Sequence, residues 1–578
     1  MTSTAGPAYG GRPRVWAVDD GERVARRAGA LPLMDGHDNP IWGPNGPLRL
    51  FGLPGETVAF QIVVTAGPAR PIEGATVDFD GLEGPTKLGA GPEGARFRAI
   101  ERFVVYDVPI ARRSGGKVAG ASLGWERGAM PEAFGAAGGA LPEPLLPTEL
   151  APAWNDYPMR VEPGEHRVVW FDVTLPDTLP AGRYRGTIVV RDAPGGERRA
   201  FGELPIELEV GATRLPYAAL GTMVFHEPEE IAERVGSPQA ELHYQQLMHR
   251  HHLTTFSDLL GPDDVAAQRG ELSGQSFTAA AGYAGPGEGR GVGLAAIGSY
   301  GSLREPSREK LAKVASVLAA LAREGLGPDT PGFDLFLYAI DEQCASPWAA
   351  AWRKLLDESG EPALRKLRVG HTCGEDPSKQ RVDLALVPAE AFDPATAARA
   401  RAAGKRVWVY NGSLPRAGTF LSDGGTLSLR ANGWLQASFD IERWFYWEST
   451  YWSDHNRGGL GPYDPFASAE TFHNKDGDWA NGDGVLVYPG KQGRYPAHSL
   501  GFDGVIPSLR LKQWRRGLQD GAYLRLARAV DRERADAVAR RLVPAGFTEA
   551  RAGAPAPWLA RGAAYWQARR ELFELIAR

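Results

Sequence analysis

Near residue 215 the chain changes its hydrophobic period, and this change limits its fold more than any other feature. From Val15 to about Val210 the period is two. Val58, Phe60, Ile62 and Val64 alternate with Ala59, Gln61 and Val63; Leu204, Ile206, Leu208 and Val210 alternate with Pro205, Glu207 and Glu209. Side chains alternate faces along a strand, so such runs each have two distinct faces. Turns such as Ala193-Pro194-Gly195-Gly196 separate them, the pattern of an antiparallel sandwich. Gly115 to Asn155 is rich in Gly, Ala and Pro and is expected to be a long loop.

After Leu220, short apolar runs alternate with segments of helical period. Ser307 can cap a helix whose stripe is Leu311, Val314, Leu318 and Leu321, and Ser346-Pro347 is a second helix start. Eight runs are candidate parallel strands: Leu220–Phe225, Thr254–Ser257, Leu294–Gly298, Phe333–Ile340, Leu367–His371, Leu384–Val387, Arg406–Tyr410 and Trp444–Trp447. That number favours a (β/α)8 barrel over a doubly wound sheet. The expected fold class is multidomain: an N-terminal all-β sandwich at 13–213, an α/β barrel at 214–530, and a helical C-terminal extension at 531–578.

Composition excludes some functions. Of 578 residues, 43% are hydrophobic and 23% charged, ordinary for a globular chain, and the net charge of −5 argues against a nucleic-acid partner. No run is long and apolar enough to span a membrane. The N-terminus given, MTSTAGPAYGGRPR, lacks a basic n-region and an apolar h-region, so no signal peptide is visible in it. A cytoplasmic place is expected for the chain as given, and a periplasmic or secreted one for a trimmed chain. Cys344 and Cys373 follow consecutive candidate strands; two free buried thiols are expected rather than a bridge or a metal site. No metal or other cofactor is expected.

Active sites of such barrels lie at the C-terminal strand ends. The fourth run ends in two adjacent carboxylates, Asp341 and Glu342, which are the candidate catalytic residues. Neighbours on a regular strand face opposite ways, so both reach one pocket only where the pleat ends. His371, Tyr410, Asn411, Trp447 and Glu448 are candidate substrate-binding residues by strand-end position. Gly433–Phe466 holds ten aromatics, about 30% of that stretch against 10% for the whole chain, and flat rings suit the C–H faces of sugars. Two or three of them are expected in a pocket, the rest in the core. Carboxylates together with aromatics point to a glycan substrate.

Other patterns are weaker. Gly120-Ala-Ser122-Leu-Gly124 has the nucleophile-elbow spacing without a flanking strand and helix. His249, His251 and His252 fit a helix C-terminus better than a metal. Asp476, Asp478 and Asp483 lack calcium-loop spacing, and Asn411-Gly-Ser413 is a sequon at an expected barrel mouth.

Three places resemble glycoside hydrolase family 123 and its broader relatives. They are Val15-Trp-Ala-Val-Asp19-Asp20 with Gly55-Glu56-Thr57-Val-Ala-Phe60-Gln61; Tyr338-Ala-Ile-Asp341-Glu342; and Asp483-Gly-Val-Leu-Val-Tyr488-Pro489-Gly490 with Pro507-Ser508-Leu-Arg510 and Gly517-Leu-Gln-Asp520. The resemblance implies a β-sandwich plus barrel and a retaining exo-β-N-acetylgalactosaminidase that uses the substrate's own 2-acetamido group. By carry-over, Asp341 steadies the acetamido group and Glu342 is the general acid. The relatives commonly have Pro after the pair, where this chain has Gln343, and the Tyr446–Thr450 segment also differs from them. Two alternatives follow. One is a conventional glycosidase on a non-acetamido glycan, with Glu448 as nucleophile; the other is a non-catalytic carbohydrate-binding protein.

Overall fold

The computed structural model describes residues 13–577 apart from 93, 116–138, 475–476, 552–555 and 559–560. Its N-terminal region is two five-stranded sheets. One has the order Arg14–Asp19, Thr57–Thr65, His166–Thr174, Ile100–Ile110 and Gly139–Pro147. The other has the order Leu48–Gly52, Arg199–Val210, Gly182–Asp192, Ile72–Phe79 and Met159–Val161. Phe171 of the first sheet meets Phe79 of the second edge-on, with ring centroids 6.0 Å apart.

The first sheet is covered on both faces, which accounts for the nearly continuous apolar run Thr57–Thr65. Val58, Phe60, Ile62 and Val64 face the second sheet, while Ala59 and Val63 join Trp16, Val168, Trp170 and Leu509 in a separate outer cluster. The expected loop at 115–155 is corrected in part. Gly139–Pro147 is a strand at the sheet's end, where its prolines Pro142, Pro144 and Pro147 are tolerated because an edge strand has ladder positions to spare. Ser122 and its elbow pattern lie outside the described residues.

All eight expected barrel strands are present: Gly221–Phe225, Thr255–Phe256, Leu294–Ile297, Asp334–Ile340, Arg368–Thr372, Leu384–Pro388, Arg406–Tyr410 and Arg443–Tyr446, called here strands one to eight. They form one parallel sheet in the order two, one, eight, seven, six, five, four, three. Strands two and three share no ladder, and a single parallel bridge between Leu259 and Ile297 spans that seam. The barrel is therefore nearly closed. Phe336, Tyr338, Leu384, Leu386, Trp408 and Phe445 fill its interior, while their neighbours Leu337, Val369, Ala385 and Val409 pack into the surrounding helical layer. Ser307 caps the helix Arg308–Arg323 by accepting from the Lys310 amide, and Ser346 accepts from the Trp348 amide at the start of Trp348–Glu358.

Sandwich and barrel meet on the helix Leu509–Val530. It crosses the helix Ser428–Ser438 so closely that a Cβ on Gly433 would lie 2.0 Å from Gly517, which requires glycine at the crossing. Charged side chains line the rest of this junction. Arg516 donates to Asp20 (2.6 Å) and to Glu56 (2.9 Å), Arg430 donates to Asp520 (2.7 Å), and Tyr523 donates to Glu56 (2.6 Å). Nearby, Asp172 accepts from Lys512 and Arg515, and Glu143 accepts from Arg510. Burial works against charge here, yet Arg516 and Arg430 hold the Asp20 carboxyl below its ordinary range. Asp19-Asp20, Glu56, Arg510 and Gly517–Asp520, all quoted above for the family resemblance, thus build the junction between domains. The last helix, Gly562–Ile576, returns to the sandwich, where Trp566 and Phe573 pack on Phe51. No described helix is long and apolar enough to cross a membrane.

Candidate active site

Strand four ends in a way that brings both carboxylates to one side. Its pairing with strand five shifts register between Tyr338 and Ile340, and Glu342 takes a left-handed backbone with φ 51°. The pleat is broken at the pair, and Asp341 and Glu342 both line a cavity of about 720 Å³ at the C-terminal strand ends.

Each carboxylate is held differently. Asp341 Oδ1 accepts from the Tyr338 hydroxyl (3.0 Å) and the Thr372 hydroxyl (2.8 Å). Thr372 Oγ1 also accepts from the Glu342 amide at 2.9 Å, so one hydroxyl fixes both residues. Glu342 Oε1 accepts from Tyr410 Oη at 2.8 Å. Burial first, then nearby carboxylates, push the Tyr338 and Tyr410 phenols far up, so both remain donors.

Asn411 and Trp447 also line the cavity. Asn411 Oδ1 accepts from the Trp447 amide at 3.3 Å, which makes it a support for that indole's backbone. Trp447 Nε1 donates to Asp483 Oδ1 at 3.0 Å, and Phe472 packs against the Trp447 ring. Of the ten clustered aromatics, Phe445, Tyr446 and Trp447 line the cavity, whereas Trp434, Trp444, Trp452 and Phe466 are buried in the core.

Two expected binding residues are corrected, because neither lines this cavity. His371 shares the outward face of strand five with Val369; the inward position at that strand's end is Thr372. Burial pushes the His371 imidazole down to about 4. Glu448 turns into the interior, 1% exposed, where Oε1 accepts from the Ser449 amide, the Thr450 amide and the Thr450 hydroxyl. Burial outweighs these donors and pushes its carboxyl up to about 8.

Sequence reasoning missed Tyr300, Thr372, Glu390 and Asp483, all of which line the cavity. Glu390 follows strand six, and burial, with the Glu342 charge adding to it, raises its carboxyl. Asp483 was visible in a quoted motif, but nothing there tied it to the barrel mouth. Tyr300 donates to the Trp447 carbonyl.

The expectation of two free thiols is also corrected: Cys344 and Cys373 form a disulfide. With Glu375 they bring three possible metal-ligand atoms within 4.8 Å, but the two sulfurs are bonded to each other. His249, His251 and His252 bond separately, to the Gly287 carbonyl, the Leu247 carbonyl and the Ala218 amide. Of the three aspartates weighed for calcium, Asp478 and Asp483 line the cavity, and Asp476 lies outside the described residues.

Carboxylates and aromatics at the C-terminal mouth of the barrel suit a glycan substrate. Residues 369–527 match the catalytic domain of glycoside hydrolase 123, a match that starts after the Asp341–Glu342 pair. Over that stretch the chain is similar to glycoside hydrolase family 123. A family 123 glycoside hydrolase from Clostridium perfringens superposes with a TM-score of 0.63 at 11% identity, covering 98% of this chain and 97% of that one. A family 39 glycoside hydrolase from Bacteroides cellulosilyticus gives a TM-score of 0.29 at 11% identity, covering 76% of this chain and 80% of that one. No curated protein matches the chain.

Proposed function

We propose that this glycosidase is a retaining exo-β-N-acetylgalactosaminidase that works by substrate assistance. The observation that carries the reading is the pair itself, with Asp341 oriented through one oxygen by Tyr338 and Thr372, and Glu342 beside it on the same turn. A conventional pair must flank the scissile bond, with its carboxyls ~5–5.5 Å apart in a retaining enzyme. Adjacent residues suit a different division of labour. The acetamido oxygen attacks C1, Asp341 Oδ2 takes the acetamido N–H and steadies the cationic ring that forms, and Glu342 protonates the departing oxygen. Water then attacks C1 from the face the aglycone left, giving up its proton to Glu342, while the bond from C1 to the acetamido oxygen breaks and restores the acetamido group. The configuration is retained, and Glu342 regains the proton it gave. Trp447 offers a flat ring for the sugar.

The C. perfringens structure concerns hydrolysis of glycolipid glycans, which supports glycolipid glycans as the substrate class here. The disulfide supports the periplasmic or secreted place over the cytoplasmic one, because such bonds persist in oxidising compartments. The test of the reading is Glu342→Gln. It should abolish turnover of an N-acetylated β-galactosaminide with an alkyl aglycone, and unchanged turnover would refute it.

One observation favours a second reading. Glu390, from another strand end, lines the same cavity and could act as nucleophile toward a non-acetamido glycan. Activity on 2-hydroxy sugars that is lost in Glu390→Gln would support it.

A further inference from the structure

The turn that carries Glu342 forms part of the cavity wall and has no regular structure of its own. Residues 341–347 join strand four to the helix Trp348–Glu358 without regular structure. Glu342 itself is exposed, so packing does not fix it. Its left-handed backbone is unfavourable for a residue with a Cβ and persists only where neighbours over-determine it.

The last residue of strand five and the residue after it supply that determination. Thr372 Oγ1 accepts the Glu342 amide at 2.9 Å. Cys373, the next residue, is bonded covalently to Cys344, two residues beyond Glu342. Cys373 is a firm anchor: it is 1% exposed, and its amide donates to the Leu386 carbonyl of strand six at 3.0 Å. The pair thus clamps the turn to the barrel wall on the C-terminal side of Glu342, while Tyr338 and Thr372 hold Asp341 on the other side.

We propose that Cys344 and Cys373 are positioning residues whose disulfide holds the Glu342 carboxyl where it can protonate the leaving oxygen. The proposal rests on the reading of Glu342 as general acid. It assigns the bond a role in one catalytic step, beyond stability. A displacement of about 1 Å at a reacting group can cost ~10²-fold in rate, and the loss should appear only where acid assistance is needed.

The experiment uses the full chain and two N-acetylated β-galactosaminides, one bearing 2,4-dinitrophenol, which departs without protonation, and one bearing methanol, which does not. The double variant Cys344→Ser/Cys373→Ser should lose ~10²-fold in kcat on the methyl glycoside with KM little changed, and keep its rate on the dinitrophenyl glycoside. That retained rate also reports a folded site. Dithiothreitol acting on the wild-type chain should reproduce the pattern. It breaks the S–S bond to give two thiols and closes to its own cyclic disulfide, so two electrons and two protons pass to the protein. Reoxidation should restore the rate. Equal loss on both substrates would mean a merely structural bond and overturn the proposal, as would two titratable thiols in the unreduced, unfolded chain. Glu342→Gln is measured alongside. If it shows the leaving-group dependence and the serine variant does not, the positioning role falls and the general acid stands. If Glu342→Gln shows none, the general-acid reading falls and takes the proposal with it.

Discussion

Tyr410 Oη donates to Glu342 Oε1 at 2.8 Å, tying strand seven to the turn after strand four. Tyr410 is buried and its phenol stays protonated, so the bond has one direction. Tyr410→Phe keeps the ring beside Phe445 and removes only this donor. A hydrogen bond to an ionisable group is worth about 1.5–3 kcal/mol, so kcat/KM should fall by ~10–100-fold. Steady-state kinetics on an N-acetylated β-galactosaminide checks it, and an unchanged value would separate Tyr410 from the acid's geometry.

Thr372 holds both residues of the pair through one hydroxyl, accepting from the Glu342 backbone amide and donating to the Asp341 carboxylate. Thr372→Val preserves shape and removes both bonds. Its kcat should fall by at least as much as that of Tyr410→Phe. Thr372→Ser, which keeps the hydroxyl, should restore most of the rate.

Glu448 gives a prediction in pH. Its folded carboxyl is raised to about 8 from an ordinary 4.5, chiefly by burial. Above pH 4.5 the unfolded chain releases this proton while the folded chain keeps it, so stability declines as pH rises toward 8. Glu448→Gln removes that titration and retains an acceptor oxygen. Its melting temperature should gain on wild type as pH goes from 5 to 8, and a gap that stays constant would contradict the assignment. Because Glu448 lies outside the cavity, turnover should survive the change, whereas a nucleophile could not be replaced.

The junction of the domains makes a stability prediction. Arg516 is buried between Asp20 and Glu56. Arg516→Met leaves two carboxylates without that partner in a dry interior and should cost about 3–5 kcal/mol. The urea midpoint of unfolding measures it. A shift near zero would mean that the remaining arginines carry both acids.

The barrel was readable because each of its strands is a short apolar run flanked by turn residues, and this held even for Leu294–Ile297 amid glycines. The site was readable where a strand ends abruptly in charge, as at Asp341 and Glu342. It misled where one residue of register decides the face. Ending strand five at His371 put the imidazole at the mouth, whereas the strand runs to Thr372 and the period of two turns His371 outward. Glu390 and Tyr300 lie in loops beyond their strands, where no period says which way a side chain turns. Gly139–Pro147 was hidden by its prolines, which local propensity reads as loop and only the sheet edge explains. The cysteines were read as following consecutive strands but not as joined, since two thiols in a chain of this size do not by themselves signal a bond. The blocks resembling family 123 at Asp19-Asp20, Glu56, Arg510 and Asp520 report a domain junction, while Asp341, Glu342 and Asp483 report the cavity.

The central claim is that the substrate's own acetamido group is the nucleophile, with Asp341 and Glu342 serving it. The direct measurement is hydrolysis of two matched 4-nitrophenyl β-glycosides by the purified chain, one an N-acetyl-β-galactosaminide and the other the 2-hydroxy β-galactoside. Turnover of the N-acetylated compound alone is the predicted result. Turnover of the 2-hydroxy compound alone would contradict the claim and move the nucleophile to a carboxylate of the protein.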